Sequence, residues 1–271
     1  MVPDGSVKMM KCKILEYRPD FVRLLLEDTK PVFANAYRRI IQSEVPILAI
    51  DEVIFLANTT AFFDEYIAHR LALIPLKTPL KVLDFGEDFS VRLRLDVTAE
   101  EEQTVVYSGQ LESSDPEVYP ANPNIPIIAM NKGERLSLEA IARIGRGKQH
   151  VKWQAVAALG YRYYPIYVFD PRKCPKAKEL LEQLNAEVVQ EDGILRVLDA
   201  PYHPELEKVL RRCALDLGEP AVKVEYDDSR IIIKFESTGA LDCDQILLLA
   251  AEELLNKLEI LENSIKEASQ S

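Results

Sequence analysis

Residues 21–41 read FVRLLLEDTKPVFANAYRRII, and within this stretch the apolar spacing changes from that of a strand to that of a helix. Val22, Leu24 and Leu26 first follow the two-residue period of a half-buried strand. Later apolar residues recur at helical intervals, at Val32, Phe33, Ala36, Tyr37, Ile40 and Ile41. Pro31 suits the first turn of a helix and Pro46 stops one, so a strand followed by a helix is predicted.

Strand pairs are predicted near both ends of the chain. Residues 11–17 and 21–27 flank a turn at 18–20 and form a first hairpin. Near the other end, residues 222–226 and 231–235 alternate in the same way around Asp227-Asp228-Ser229, which predicts a second hairpin. An isolated hairpin is only marginally stable, so we expect the two to build one antiparallel sheet.

A long helix is predicted at the C-terminal end. Asp242 and Gln245 resemble a capping box. The apolar spacings that follow are 4, 3, 4, 3 and 4, at Leu247, Ala251, Leu254, Leu258, Leu261 and Ile265. A helix over about 243–266 would span roughly 36 Å, longer than one small domain covers. The pattern is compatible with a helix that reaches a second chain and equally with a core helix of this chain.

The middle of the chain combines β structure with a mixed segment. Val91, Leu93, Leu95 and Val97 alternate with polar residues as in an antiparallel strand with one solvated face. Shorter strand-like pieces precede and follow this strand, so a mostly β domain is expected. From residue 163 to residue 226 the order of patterns is strand, helix, hairpin, helix and strand, which is the βαββαβ order of ferredoxin-like folds.

Composition limits the function classes. The net charge of −11 opposes a surface that tracks phosphates along its whole length, so we expect protein partners and no sequence-specific DNA binding. The longest apolar run, Ile246 to Ala251, is far shorter than a membrane span, and the N-terminus shows no signal-peptide pattern. A cytoplasmic chain of two or three domains is therefore expected.

Several segments resemble the archaeal D-type family of RNA polymerase subunits, which is similar to the bacterial alpha subunit. They are FANAYRRII at 33–41 continuing through 44–46 and 49–51, Asp64-Glu65 with AHRLALIPL at 68–76, GRGKQHVKWQ at 145–154, and ESTG at 236–239. The resemblance implies an α+β fold with a discontinuous alpha-like dimerisation domain over 1–46 and 222–271. It also implies an inserted, mostly β domain over 47–162 and a ferredoxin-like segment over 163–221.

The resemblance further implies an assembly role. The dimerisation domain would pair with the small subunit L, and the dimer would then seat the two large catalytic subunits with subunits N and P. The expected pairing residues are Phe33, Ala36, Tyr37, Ile40, Leu247, Ala251, Leu254, Leu258 and Leu261. The expected docking residues for the large subunits are Arg38, Arg39, His69, Arg70, Arg146, Lys148, His150, Lys152 and Trp153.

Each of these basic residues has a simpler interpretation. Gly145 to Lys148 could suggest a phosphate loop, but the P-loop pattern requires a Ser or Thr where Gln149 stands. A solvated basic loop and a docking loop remain, and Arg and Trp favour docking. Arg70 suits bidentate pairing with a carboxylate. His69 more simply forms an ordinary hydrogen bond than acts as a catalyst, and Arg38 and Arg39 lie off the apolar stripe.

No cofactor is expected. Many relatives in the D-type family hold iron–sulfur clusters through closely spaced cysteines, whereas here only Cys174 and the distant Cys213 fall in that region. Two thiolates cannot complete a four-ligand cluster, and no His–Cys spacing suits zinc. The two cysteines would act as small buried hydrophobic residues or form a disulfide. An enzyme, a free-standing nucleic-acid binder and an assembly protein are the classes compared. The sequence shows no nucleophile–base pair or nucleotide loop, which favours the last.

Overall fold

The computed structural model describes residues 9–86, 88–191, 193–199, 204–217 and 222–270. Two compact units are distinguished. Unit 1 comprises Met1–Leu15, Arg23–Ala34 and Tyr161–Ile233, and unit 2 comprises Glu16–Val22, Asn35–Gly160 and Lys234–Ser271. The chain is a mixed α+β protein with antiparallel sheets, as predicted. The domain bounds drawn from the resemblance stay a prediction.

The helices and strands follow in chain order. The helices are α1 (Pro31–Ser43), α2 (Asp64–Ala72), α3 (Leu80–Leu83), α4 (Pro175–Gln183), α5 (Pro204–Leu217) and α6 (Cys243–Gln270). The strands are β1 (Lys11–Arg18), β2 (Phe21–Glu27), β3 (Pro46–Asn58), β4 (Ser90–Thr98), β5 (Thr104–Tyr107), β6 (Glu112–Ser113), β7 (Pro126–Met130), β8 (Arg135–Arg146), β9 (Val156–Phe169), β10 (Glu187–Glu191), β11 (Ile194–Asp199) and β12 (Val222–Ser237). The predicted first hairpin and first helix are confirmed by β1, β2 and α1.

Three sheets are formed. The largest has the strand order β1-β2-β12-β9-β11-β10, the second β3-β8-β4-β6, and the third pairs β5 with β7. The elements β9, α4, β10, β11, α5 and β12 follow the predicted βαββαβ order, with β11 between β9 and β10 and antiparallel to both.

The core of unit 1 lies beneath α4 and α5. Leu181, Leu206 and Leu210 are buried there with Phe169 and Val197. The half-buried side chains of Leu180, Leu184 and Val209 pack against this cluster. The segment therefore has an apolar core. Cys174 and Cys213 form a disulfide with a Cα–Cα distance of 6.3 Å, which decides between the two roles left open for these cysteines.

The core of unit 2 surrounds strand β8, which pairs with β3 on one side and β4 on the other. The side chains of β8 that point into this core alternate along the strand, at Leu136, Leu138, Ala140, Ala142 and Ile144. Ile67 and Leu71 place the buried face of α2 on the same cluster. The sequence analysis missed β8 because alanines weaken its apolar signal and because Gly145 and Arg146 read as a loop.

The predicted second hairpin is wrong, because residues 222–237 form the single strand β12. Asp227 accepts hydrogen bonds from Ser229, a local pattern that normally marks a turn. Here the Ser229 carbonyl instead accepts a bond from the Thr29 amide, and the Arg230 guanidinium lies 4.1 Å from the centre of the Tyr164 ring. These contacts keep the strand extended through the polar residues, so tertiary packing outweighs the local turn preference.

The disulfide should contribute measurably to stability. A link between residues 39 positions apart lowers the entropy of the unfolded chain and stabilises by about 4 kcal/mol in the loop-closure model. We expect the Cys174→Ala/Cys213→Ala variant to melt at lower temperature than the wild type and to be insensitive to dithiothreitol, whereas the wild type should be sensitive. Cys12→Ala, at an exposed free cysteine, is the control and should behave as the wild type. A wild-type melting curve that dithiothreitol leaves unchanged would contradict the expectation.

Candidate protein-interaction surfaces

Helix α6 is attached to unit 2 through its first turns. The Gln245 side chain accepts a hydrogen bond from the Asp242 amide at 3.0 Å, as in a capping box. The inward side chains Cys243, Ile246 and Ala250 are fully buried. The helix has 28 residues, so it extends about 42 Å. Its buried residues end early, and every described side chain from Leu255 onward is exposed.

One side of α6 carries a row of exposed, large apolar side chains, whereas the exposed Ile260 projects from the other side. We name Leu248, Leu255, Leu258, Leu261 and Ile265 the α6 apolar face. Their exposed fractions lie between 53% for Leu258 and 65% for Leu248. Scattered apolar residues are normal on a surface, but a row of five along one helix is the usual mark of an interaction site. The face is suited to packing against another apolar helix.

The predicted pairing residues divide into three groups in the structure, by their exposure. Leu258 and Leu261 are exposed, whereas Ile40 is buried within the chain. The rest are half-buried, at Phe33, Ala36, Tyr37, Leu247, Ala251 and Leu254. The Tyr37 hydroxyl donates to the Leu247 carbonyl at 2.8 Å, so this part of α1 is already packed against α6 of the same chain.

The sequence analysis missed two members of the α6 apolar face. Leu248 and Leu255 each follow a residue of the predicted stripe by one position. In a heptad pattern this is the position beside the central seam, and apolar residues there widen the contact face. The sequence therefore contained the signal for Leu248 and Leu255, but the predicted stripe included only one apolar residue per turn.

The first residues of the basic segment 145–153 form hydrogen bonds and ion pairs with other residues of the same chain. The Arg146 guanidinium donates to the Glu44 carbonyl at 2.5 Å and lies 3.0 Å from a carboxylate oxygen of Glu253 on α6. The Lys148 amide donates to the Ser43 carbonyl at 2.9 Å, and its ammonium group to Glu44 at 3.1 Å. The segment therefore contacts the end of α1, and Arg146 also contacts α6.

Glu44 lies at the centre of this group of charges. Burial opposes its ionisation, but the hydrogen bond from Lys148 and the positive charges of Lys257, Lys148 and Arg146 outweigh burial. The pKa of the Glu44 carboxyl is consequently lower than usual. Lys257 on α6 lies 3.6 Å from Glu44 and 3.8 Å from Glu253, so the same charges hold α6 and α1 together.

Lys152 and Trp153, in the second half of the segment, also bind groups of the same chain. The Lys152 ammonium group donates to Asp51 at 2.5 Å and lies 4.2 Å from the centre of the Trp153 ring. The Trp153 indole donates to the Arg143 carbonyl at 3.1 Å, and its ring covers Gly145, where a side chain would overlap it. Trp153 is thus half-buried in its own chain. The exposed tip of the loop consists of Lys148, Gln149, His150 and Val151.

Arg70, which the sequence suggested for pairing with a carboxylate of a large subunit, is engaged within its own chain. Its guanidinium donates to the carbonyls of Ile127 and Pro126, both at 2.6 Å, and so fixes α2 to β7. His69, one position earlier, is exposed. On α1, Arg38 donates to the side chains of Asn35 and Gln42, and Arg39 is exposed.

An aromatic patch before and within α2 was missed by the sequence analysis. The Phe62 and Tyr66 rings stack with centroids 5.2 Å apart, and Phe63 is 79% exposed. Exposed aromatic residues are typical of protein interfaces. The signal was the Phe62-Phe63 pair itself, next to a segment already assigned to docking.

Two further findings concern metals and membranes. Within the described ranges, no group of three or more His, Cys, Asp or Glu side chains is arranged to hold a metal ion. No described helix is both long and apolar enough to cross a bilayer.

A family model and several full-length proteins match this sequence, and all of them are RNA polymerase subunits or domains. Residues 50–159 match the RNA polymerase Rpb3/RpoA insert domain. The chain is 40% identical over 261 residues to DNA-directed RNA polymerase subunit Rpo3 of Thermococcus kodakarensis, covering 92% of this chain and 95% of the relative. The Rpo3 proteins of Pyrococcus furiosus and Methanosarcina acetivorans are 37% and 33% identical, covering 92% of this chain and 95% and 96% of theirs. With such identity over almost its whole length, this chain belongs to the Rpo3 family of DNA-directed RNA polymerase subunits.

Proposed function

We propose that this chain is the non-catalytic assembly subunit of a cytoplasmic, multisubunit RNA polymerase. It pairs with a small subunit of the L type through α6 and α1, and the pair then seats the large catalytic subunits together with subunits N and P. Membership of the Rpo3 family makes the chain a polymerase subunit. The choice of partners and the order of assembly are what the proposal adds.

The α6 apolar face is the observation that carries the proposal. Its side chains are 53–65% exposed, so complete burial by a partner would contribute roughly 1–2 kcal/mol each. The first turns of α6 are packed on unit 2, so the helix projects its later turns from a fixed base. A preformed helix loses little further entropy on pairing, which favours a stable complex.

A second copy of this chain is the competing occupant of the α6 apolar face. The exposed flanks of α6 are acidic, with Glu252, Glu259, Glu262 and Glu267 against Lys257 and Lys266. Both lysines already pair with glutamates of this chain, at Glu44 and Glu253 and at Glu262. Self-pairing would bring acidic flanks together, whereas a different partner with basic flanks would complement them.

The loop tip is the proposed docking point for a large subunit. Arg146 and Lys152 are engaged within the chain, so the tip residues His150 and Val151 are better placed to meet a partner. Val151 is 59% exposed at the loop tip, so a partner could bury this apolar side chain. The aromatic residues Phe62 and Phe63 extend the docking proposal to the start of α2.

The proposal assigns no chemistry and no cofactor to this chain. Cys174 and Cys213 are joined to each other, so in the oxidised protein neither offers a thiolate to iron or zinc. A packed apolar core and a covalent link can hold the ferredoxin-like segment together in place of a cluster. Sequence-specific DNA recognition is likewise left to other subunits.

The pairing surface is tested by substitution on α6. We expect Leu258→Asp/Leu261→Asp to abolish co-elution of the small subunit after co-expression, because two unpaired carboxylates would be buried against an apolar partner. The affinity should fall by at least about 100-fold, which corresponds to about 2.8 kcal/mol. Asn256→Asp/Asn263→Asp places the same carboxylates on the opposite side of α6 and should leave co-elution unchanged.

Two results would refute this pairing. One is co-elution of the Leu258→Asp/Leu261→Asp variant at the wild-type ratio. The other is a stable homodimer of the wild type that persists when the small subunit is present in excess.

Docking of a large subunit is tested at the loop tip. Val151→Asp should retain the small subunit and reduce recovery of the large subunits in a reconstitution, since Val151 is exposed and its replacement disturbs no described core cluster. The matched control is Val105→Asp, at another surface valine of the same unit. If the Val151 variant assembles as fully as the control at low and high salt, the loop is a solvated surface and not a docking point.

A further inference from the structure

Unit 1 contains two short basic segments in an otherwise acidic protein. Residues 171–178 read PRKCPKAK and contain four cations and no carboxylate. Residues 208–212 read KVLRR and contain three more. The first segment leads into α4 and the second lies within α5. Neither segment was assigned a role by the sequence analysis or by the proposed function.

The disulfide brings the two basic segments together. Cys174 follows Lys173 and Cys213 follows Arg212, and the two cysteine Cα atoms are 6.3 Å apart. One Cα–Cα step of about 3.8 Å on each side places the Cα atoms of Lys173 and Arg212 within about 14 Å. The Cys213 sulfur also lies 3.8 Å from the Lys173 carbonyl. The cations of both segments therefore share one region of the unit 1 surface.

Several of these cations have no counterion among the described side chains. Arg172 pairs with Asp170 at 3.1 Å, Lys178 with Glu182 at 3.7 Å, and Arg211 with Glu207 at 2.9 Å. No described carboxylate pairs with the other four, all of them exposed, which we name the α4–α5 basic surface: Lys173, Lys176, Lys208 and Arg212.

The position of these cations is electrostatically unfavourable in the isolated chain. Lys173 and Lys176 flank the start of α4, where the helix dipole disfavours positive charge, and the first turn of α4 has no acidic residue. Like charges held close together also repel one another. A bound polyanion would relieve both effects, so the arrangement favours an anionic ligand.

The same surface lacks the features of a protein interface. No large apolar side chain of α4 or α5 that the structure describes is exposed; all those observed on these helices pack into or against the core. Protein interfaces usually have a buried apolar or aromatic centre, whereas contacts to a phosphate backbone rely mainly on Lys and Arg. The absence of an apolar centre favours phosphates over an acidic protein segment.

We propose that the α4–α5 basic surface binds the phosphate backbone of a nucleic acid without regard to sequence. This contact is separate from the pairing and docking surfaces and goes beyond the proposed function. A subunit of a DNA-directed RNA polymerase works next to nucleic acid, so the ligand class is available to it. Four phosphate contacts would give weak, strongly salt-dependent binding.

The test measures binding of the full-length chain to a fluorescein-labelled 20-base-pair DNA duplex by anisotropy between 25 and 200 mM NaCl. We expect Lys173→Glu/Lys176→Glu/Arg212→Glu to weaken binding by at least about tenfold at the lowest salt. Each lost phosphate contact lowers the slope of log affinity against log salt by about one, so the slope should fall by about three. Lys173→Gln/Lys176→Gln/Arg212→Gln should show the same change in slope with less added repulsion.

A matched control separates local contacts from overall charge. Arg92→Glu/Lys132→Glu/Lys234→Glu changes the net charge by the same amount at exposed cations of unit 2. None of its three residues belongs to the α4–α5 basic surface, so binding of this variant at about 100 mM NaCl, where long-range charge effects are largely screened, should stay within about threefold of the wild type. Circular dichroism melting of each variant checks that the fold is retained.

Four results would overturn the proposal. The wild type could show no binding to the duplex at 25 mM NaCl. The two variants at the basic surface could bind as the wild type does, or the control variant could lose as much affinity as they do. Finally, polyglutamate of equal charge could bind more tightly than the duplex, which would assign the surface to an acidic protein segment.

Discussion

The Arg146 guanidinium connects three segments of unit 2 that are far apart in the chain. It extends from the end of β8, donates to the Glu44 carbonyl at the end of α1 and pairs with Glu253 on α6. Lys148 and Lys257 reinforce the same junction through Glu44. A single half-buried ion pair of this kind contributes on the order of 1 kcal/mol, but several that share carboxylates restrict the geometry more than any one pair does. This junction and the buried first turns of α6 fix the helix to the rest of unit 2.

The ion pairs at this junction change the interpretation of the basic segment 145–153. A run of Arg, Lys and His in an acidic protein suggests a free docking loop, yet most of its charges are neutralised by Glu44, Asp51 and Glu253 of the same chain. Only the tip is left to meet a partner. The loop and α6 are therefore connected through Arg146, and a substitution of Arg146 would disturb both. A separate test of the proposed docking therefore requires changes at Val151 or His150, which leave this junction intact.

Unit 1 is held together in a different way. Its ferredoxin-like segment combines an apolar core beneath α4 and α5 with one disulfide, and the disulfide also determines which surface cations become neighbours. A covalent link at this place constrains the two helices. It stabilises chiefly by restricting the unfolded chain, so it can substitute for packing that a small segment cannot supply by itself.

The sequence by itself determined the elements whose periodicity is strong and local: the first hairpin, α1, the βαββαβ order and the heptad pattern of α6. It could not decide whether β12 turns at Asp227, because a local Asx pattern there competes with contacts from Thr29 and Tyr164 that only the folded chain brings close. Nor could it show that Arg70 binds backbone carbonyls, or which part of the α6 stripe is left exposed. These depend on distances between residues far apart in sequence, and the free energy of such contacts exists only after tertiary packing has formed.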